Sequence, residues 1–347
     1  MRLGRSVAFV CAAVLGFCTV SAGALPSQAA AVRTEASNLS VPWEIDFLPD
    51  ATALITERST FRVLRLSGSG ASVLRRIQDA VGTGSTGGLL GLAVSPHYES
   101  DKSVFVYYST TVDNRVVRLT GDSAPVAVLA GIPRGEAHNG GRIAFGPDGY
   151  LYVATGDAMA GPRAQDLISL AGKILRITGD GRGAPDNPFP TAPLVYSYGH
   201  RDVEGLAWDD RGHMYATELG DEHWDEVNRI EPGRNYGWPV CEGRCAVPNS
   251  SFVDPLIQWN TEEASPSGAA YYHGNLYVAA LKGQRMWRIP VLEDGELGEP
   301  GSIYQNYFGR LRAVVAGPDD RLWFSTSNRD QRGVPGPQGD LVMSSTG

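Results

Sequence analysis

The chain has 347 residues, with 38 acidic against 30 basic side chains and a net charge of −8. That balance argues against nucleic acid and anionic membrane surfaces as partners, because both need clustered cations. The length would often mean two domains, but 42 glycines, short apolar strands between turn signals and no long amphipathic helix point to one all-β domain.

Residues 1–30 read as a signal peptide. Arg2 and Arg5 give a basic start, Ser6 to Ala24 is apolar and small, and Ala22-Gly23-Ala24 or Gln28-Ala29-Ala30 offers a cleavage site. There is no adjacent twin Arg, and neither Cys11 nor Cys18 follows the small residue of a lipoprotein box. The alternative is an uncleaved anchor, since the apolar run is nearly long enough to span a bilayer. The expectation is export, cleavage and a mature domain of residues 31–347, secreted and free of the membrane. Cleavage removes Cys11 and Cys18 and leaves Cys241 and Cys245. Outside the cytoplasm, a pair this close reads as a disulfide pinning a small loop; a metal pair is the other reading, without a second Cys or His pair nearby.

From there one phrase returns six times: a turn, often with Pro-Asp or Asp-Gly, then a buried strand. The copies begin at Leu48-Pro49-Asp50, Ser95-Pro96-His97, Gly146-Pro147-Asp148-Gly149, Asp209-Asp210-Arg211-Gly212, Tyr272-His273-Gly274 and Gly317-Pro318-Asp319. They recur about every 45 to 65 residues, room for four short strands, which is one propeller blade. Six copies predict a six-bladed β-propeller with four-stranded antiparallel blades. Leu167 to Lys173 reads as a short turn of helix. The segments Gly179 to Pro193 and Gly233 to Asp254 read as long Gly-, Pro- and Asn-rich loops, where function tends to sit.

The third copy carries the most chemistry. Arg142 to Phe145 and Leu151 to Thr155 read as two strands around the Gly146–Gly149 turn. His138 just precedes the first strand and Asp157 just follows the second, so an antiparallel hairpin puts both at one end. An Asp on one ring nitrogen leaves the other free to act as a base. The local pattern alone favours a plainer reading, a solvated loop His beside a turn Asp.

Other loop clusters also admit two readings. In Gly87-Gly88-Leu89-Leu90-Gly91-Leu92-Ala93 the glycines serve either close approach to a ligand or a tight bend. In Tyr198-Gly199-His200-Arg201-Asp202-Val203-Glu204 the Arg is either a structural ion pair or an anion reader. Asp221, Glu222, Asp225, Glu226 and Asn228, followed by Asn235-Tyr236-Gly237-Trp238-Pro239, offer hard oxygen ligands suited to Ca²⁺, though not at EF-hand spacing. Lys282, Arg310 and Arg312, with Arg201, would make a polyanion site on one rim; scattered solvated cations are the alternative. Alternation puts Arg310 and Arg312 on one face.

Together these motifs, from about Val41 to Ser327, resemble the soluble quinoprotein glucose/sorbosone dehydrogenases, propellers that use pyrroloquinoline quinone (PQQ) and Ca²⁺. The resemblance is carried in order by Pro42-Trp43 with Phe47-Leu48-Pro49-Asp50, the Gly87–Ala93 run, His138-Asn139-Gly140-Gly141-Arg142, Gly172-Lys173-Ile174-Leu175-Arg176, Tyr198-Gly199-His200-Arg201, Asp225-Glu226-Val227-Asn228 with Asn235–Pro239, and Arg310-Leu311-Arg312. It implies that His138 is the base taking a sugar hydroxyl proton and that Asp157 orients it. It implies that Thr86, Arg201, Asp202, Lys282, Arg310 and Arg312 surround the cofactor, and that Glu226 by its carboxylate and Tyr236 by its backbone oxygen hold Ca²⁺. Substrate and product are then small sugars, and the electron acceptor is unspecified.

The chain departs from the family pattern at four places. Thr86 stands where Gln or Glu is usual, Asp202 and Glu204 where Asn and Gln are usual, and Ala313 where Asp often follows the second Arg. Two donating amides become acids, which repels an anionic cofactor unless Ca²⁺ or Arg201 offsets it. A binding propeller that has lost catalysis is the rival expectation; the retained His138, Asp157, Lys282, Arg310 and Arg312 argue for an enzyme.

Overall fold

The first strand among the described residues ends up in the last blade. In the computed structural model, which describes residues 1, 32–68, 70–247 and 251–347, β1 (Arg33–Leu39) forms the outer edge of a sheet completed from the far end of the sequence. The segment read as a signal peptide lies outside the described residues, apart from Met1. Among the described residues no helix is long and apolar enough to cross a membrane.

After β1, five four-stranded antiparallel sheets follow in strict chain order. The first holds β2 (Pro42–Phe47), β3 (Ala53–Glu57), β4 (Arg62–Ser67) and β5 (Gly70–Arg76). The second holds β6 (Leu89–Val94), β7 (Ser103–Ser109), β8 (Asn114–Thr120) and β9 (Val126–Ile132). The third holds β10 (Ile143–Phe145), β11 (Leu151–Ala154), β12 (Lys173–Ile177) and β13 (Val195–Tyr198). The fourth holds β14 (Val203–Trp208), β15 (Met214–Glu218), β16 (Trp224–Ile230) and β17 (Ile257–Asn260). The fifth holds β18 (Pro266–Tyr272), β19 (Asn275–Ala280), β20 (Arg285–Pro290) and β21 (Gly301–Ile303). The sixth sheet runs β22 (Leu311–Ala316), β23 (Leu322–Thr326), β24 (Asp340–Ser345) and then β1, which pairs antiparallel with β24 and closes the ring. This is the six-bladed propeller the repeat implied.

The second strand of each blade is covered on both faces. β3, β11, β15 and β23 are buried along their whole length. Core clusters lie between neighbouring blades: Leu54, Val63, Val106 and Val117 pack between the first and second, and Phe105, Tyr107, Val153 and Leu175 between the second and third. The first strand of each blade lines the axis. A Cβ on Gly91 would come within 2.2 Å of the Gly141 carbonyl oxygen, so the glycine there serves blade-to-blade contact.

The segment read as a helical turn, Leu167 to Lys173, is not one. Among the described residues the helical turns are α1 (Tyr98–Asp101) and a 3-10 turn at Gly161–Ala164. The cause is Lys173, which starts β12 with its ammonium buried and donates to the carbonyls of Arg163 at 2.9 Å, Ala164 at 3.0 Å and Ala171 at 2.7 Å. Those bonds fold the loop down over the strand end instead of leaving the carbonyls to a helix.

Candidate active site

In every blade the start of the first strand and the end of the second lie at the same end of the sheet. The loops there form one rim around the axis. On that rim His138 and Asp157 flank the β10–β11 hairpin, which pairs Ile143 with Val153, and their side chains meet, Nδ1 to Oδ1, at 2.8 Å. His138 is 19% exposed and Asp157 only 2%. The imidazole is therefore reachable and the carboxylate sealed. Burial pushes the Asp157 carboxyl up, but the His138 bond and charge, Trp238 and the Met159 amide together hold it below the usual range. Asp157 is thus an anion, and it fixes the Nδ1–H tautomer with Nε2 free.

The backbone around this pair is under tension. His138 sits at φ +54°, a region costly for a side-chain-bearing residue. Its carbonyl approaches Gly156 so closely that a Cβ there would lie 2.1 Å from the oxygen. Next to it Asn139 is tied on all sides: its amide donates to Thr86 Oγ1 at 2.8 Å and its Oδ1 accepts from Asn114 at 3.0 Å. Thr86 thus supports the His138 loop through Asn139.

In the neighbouring blade, the loop entering β14 supplies Arg201 and Asp202, and β14 itself supplies Glu204. The Arg201 guanidinium donates to Asp221 at 2.6 Å and to the Leu219 carbonyl at 3.2 Å, and lies 5.3 Å from the Trp238 ring centre. Its Nε is buried without a partner among the described residues. Asp202 accepts the Gly140 amide on Oδ1 at 2.9 Å, while its Oδ2 is buried and unpartnered. Burial, and then the charge of Glu204, raise its carboxyl to about 7.

Deeper in the channel the charges alternate. Glu204 accepts from Arg312 at 3.3 Å and from Ser267 at 3.0 Å. Arg310 and Arg312 both reach Asp330, at 2.9 and 3.5 Å, so they do share a face. Burial pushes Asp330 up, but the two arginines hold it below the usual range. Arg142 pairs with Glu44 and lies 4.2 Å from the Trp43 ring centre. Arg58 is buried beside the cluster, and burial, then the Arg312 charge, lower it to about 10. Lys282 stands apart from this network: it is half exposed and paired with Glu262.

The acidic loops converge on a small cavity lined by Arg201, Glu218, Glu226, Tyr236, Trp238 and Glu242. Glu226 is buried and accepts from Asn228 at 2.9 Å and the Gly243 amide at 2.7 Å. Burial, then the charge of Glu218, raise it to about 8. Asn228 Oδ1 is buried without a partner among the described residues. Tyr236 stacks on His200 with ring centres 4.7 Å apart, and its hydroxyl donates to the Arg229 carbonyl at 2.7 Å. Uncompensated carboxylate and amide oxygens around a small space suit a hard cation. Among the described residues no three His, Cys, Asp or Glu side chains form a metal cluster, so a cation here would complete its shell with backbone oxygens and water. Cys241 and Cys245 are joined in a disulfide beside it.

Sequence reasoning did not single out several residues here. Trp238 donates Nε1 to Asp157 Oδ2 at 2.8 Å and so orients the orienter. Arg58, Glu44 and Asp330 complete the charge column. Trp238 sat inside a quoted motif; the other three carry no local signature, since their partners are distant in sequence.

The profile of the Glucose / Sorbosone dehydrogenase family matches residues 39–334. The chain belongs to that family. Among solved structures it resembles the PQQ-bound form of an aldose sugar dehydrogenase from Streptomyces coelicolor, at 44% identity and a TM-score of 0.85, covering 90% of this chain and 97% of that one. A glucose dehydrogenase-like oxidoreductase from Thermus thermophilus gives 41% identity and a TM-score of 0.85, covering 90% and 98%. The aldose sugar dehydrogenase YliI of Escherichia coli is 30% identical over 327 residues, 83% of this chain and 87% of its own.

Proposed function

We propose that this protein is an exported quinoprotein dehydrogenase that oxidises an aldose sugar or related hemiacetal, using PQQ and Ca²⁺ and passing electrons to an external acceptor. The observation that carries this reading is the His138–Asp157 pair at 2.8 Å, on the same rim as a buried arginine with an unpartnered Nε. Support also comes from the PQQ-bound relative and from the apolar N-terminal segment.

The residues fit the cofactor. A tricarboxylate needs fixed cations, and Arg201 at the rim with Arg310 and Arg312 deeper in the channel supply guanidinium forks, while Lys282 would have to leave Glu262 to join them. Arg201 Nε and Asp202 Oδ2 are buried polar atoms with no partner among the described residues, which suits a polar ligand. The Glu226–Tyr236 cavity fits Ca²⁺ by its oxygen donors. PQQ, when bound, supplies a two-electron acceptor for the sugar's hydride.

The chain's own part is to hold and move a proton. Nδ1–H of His138 donates to Asp157, so Nε2 is the acceptor for the anomeric hydroxyl proton of the sugar. As that proton arrives, the Asp157 anion stabilises the imidazolium. Trp238 holds the second Asp157 oxygen, so the carboxylate keeps its orientation. Adding PQQ and Ca²⁺ to purified apo-protein and following dye reduction across a panel of aldoses tests the reading. Turnover with at least one aldose is expected; binding of PQQ with none oxidised would favour a binding propeller.

A further inference from the structure

Resting on that reading, we propose that Asp202 serves this site as a neutral acid: its Oδ2 carries the hydrogen that an amide would otherwise offer to an oxygen of the bound quinone, so cofactor uptake is coupled to proton uptake by the protein.

Among the described residues no cation makes an ion pair with Asp202. Its Oδ1 is taken by the Gly140 amide at 2.9 Å, and its Oδ2 is buried with no partner among the described residues. The neighbouring Arg201 turns its guanidinium to Asp221, Leu219 and Trp238 instead. Arg312 pairs with Glu204 and Asp330. The charged and titratable groups facing Asp202 are Glu204 on the strand that follows it, His138 and Arg201 on the flanking loops, and Tyr107 on β7. Glu204 disfavours the carboxylate, while His138 and Arg201 favour it. Burial outweighs them and raises the group to about 7.

An ionised Asp202 would leave a lone-pair oxygen facing an anionic ligand. A protonated one presents O–H, and the preceding residue, Arg201, has a spare N–H at Nε. Two donors on consecutive residues suit a carbonyl oxygen. The acid substituted for an amide then performs the amide's task, but only while it holds its proton.

The test is the dissociation constant of PQQ for apo-protein in saturating Ca²⁺, read by quenching of tryptophan fluorescence from pH 5.5 to 9. A single proton required for binding, with a free-protein midpoint near 7, weakens affinity about tenfold between pH 6 and pH 8. Asp202→Asn, which keeps an acceptor for Gly140 and a permanent donor, should bind with no such slope. Glu204→Gln removes the adverse charge and should move the midpoint to lower pH. His138→Gln controls for the imidazole and should keep the slope. A flat wild-type profile, or a slope that survives in Asp202→Asn, overturns the inference while leaving the cofactor reading intact. No PQQ binding at any pH removes the cofactor reading and this inference with it.

Discussion

Glu204 and Arg312 are 108 residues apart in sequence and meet at 3.3 Å inside the channel. Both are almost wholly buried, at 4% and 5% side-chain exposure. Asp330 shares the arginine from its other side. Burial lowers Arg312 from its ordinary value, against the opposing pull of both carboxylates. The pair ties the fourth blade to the sixth across the axis. Removing one partner of a buried pair leaves an uncompensated charge, typically at a cost of about 3–5 kcal/mol. Arg312→Met should therefore destabilise the protein by about that amount in urea unfolding. Arg312→Met with Glu204→Met should recover much of it. A single variant within about 1 kcal/mol of wild type, well under the order of magnitude set for such pairs, would show that the channel charges are not coupled.

The disulfide loop supports the candidate cation site. Glu242, next to Cys241, accepts on Oε1 from the amides of Asp221, Glu222, His223 and Trp224 at 2.7 to 3.0 Å. Gly243 in the same loop donates to Glu226. The short loop closed by this disulfide removes less chain entropy than a long one, worth about 2 kcal/mol. Cys241→Ser with Cys245→Ser should thus cost no more than about 2 kcal/mol in urea unfolding and weaken Ca²⁺ binding roughly tenfold, the scale of a lost supporting shell. Calorimetric titration of Ca²⁺ checks this, and unchanged affinity would contradict it.

Asp202 also sets a pH dependence in the apo-protein. The folded chain holds its proton up to about pH 7, whereas the unfolded chain releases it near the ordinary 3.8. Between those values the folded state binds more protons, so stability falls as pH rises. Above about pH 7 the penalty is complete and constant. Asp202→Asn should be more stable than wild type at pH 8, with Tm higher by about 2–4 °C for each kcal/mol recovered. The gap should close toward pH 4. A variant no more stable than wild type at pH 8 would mean that the carboxylate is not disfavoured in the fold.

Asp157→Asn tests the orientation of the base. The amide keeps the shape but loses the charge that stabilises an imidazolium, and it can present N–H to Nδ1. Turnover should fall about ten- to a hundredfold, less than on removing the imidazole, with PQQ affinity little changed. The acidic limb of the kcat/KM profile, where the base is lost by protonation, should move. Unaltered turnover would show that Asp157 is only a structural partner of the loop.

Much of this was legible in the sequence, for local reasons. The blades follow from turn chemistry and strand alternation within single hairpins. The His138–Asp157 contact follows from positions flanking one hairpin, and the shared face of Arg310 and Arg312 from alternation across Leu311. What was not legible depends on ring closure. β1 joins the last blade because a propeller needs a seam, and nothing in Arg33–Leu39 names its partner strand. Glu44 meets Arg142, and Glu204 meets Arg312, only because inner strands of different blades face one axis. The repulsion expected from Asp202 and Glu204 resolves differently for each: Glu204 gains an arginine, and Asp202 takes a proton. Lys282, placed by its motif with the other cations, turns to Glu262 because a half-exposed side chain is free to pair with its nearest carboxylate.

The central claim is that His138 is the base of a PQQ-dependent sugar oxidation. It is tested most directly by kcat with an aldose for wild type and His138→Ala, both loaded with PQQ and Ca²⁺, with PQQ binding measured in parallel. A positioned base typically contributes about a hundred- to ten-thousand-fold to rate. The substitution should lower kcat by about that factor while PQQ still binds through Arg201, Arg310 and Arg312. A His138→Ala variant that turns over at the wild-type rate would contradict the account.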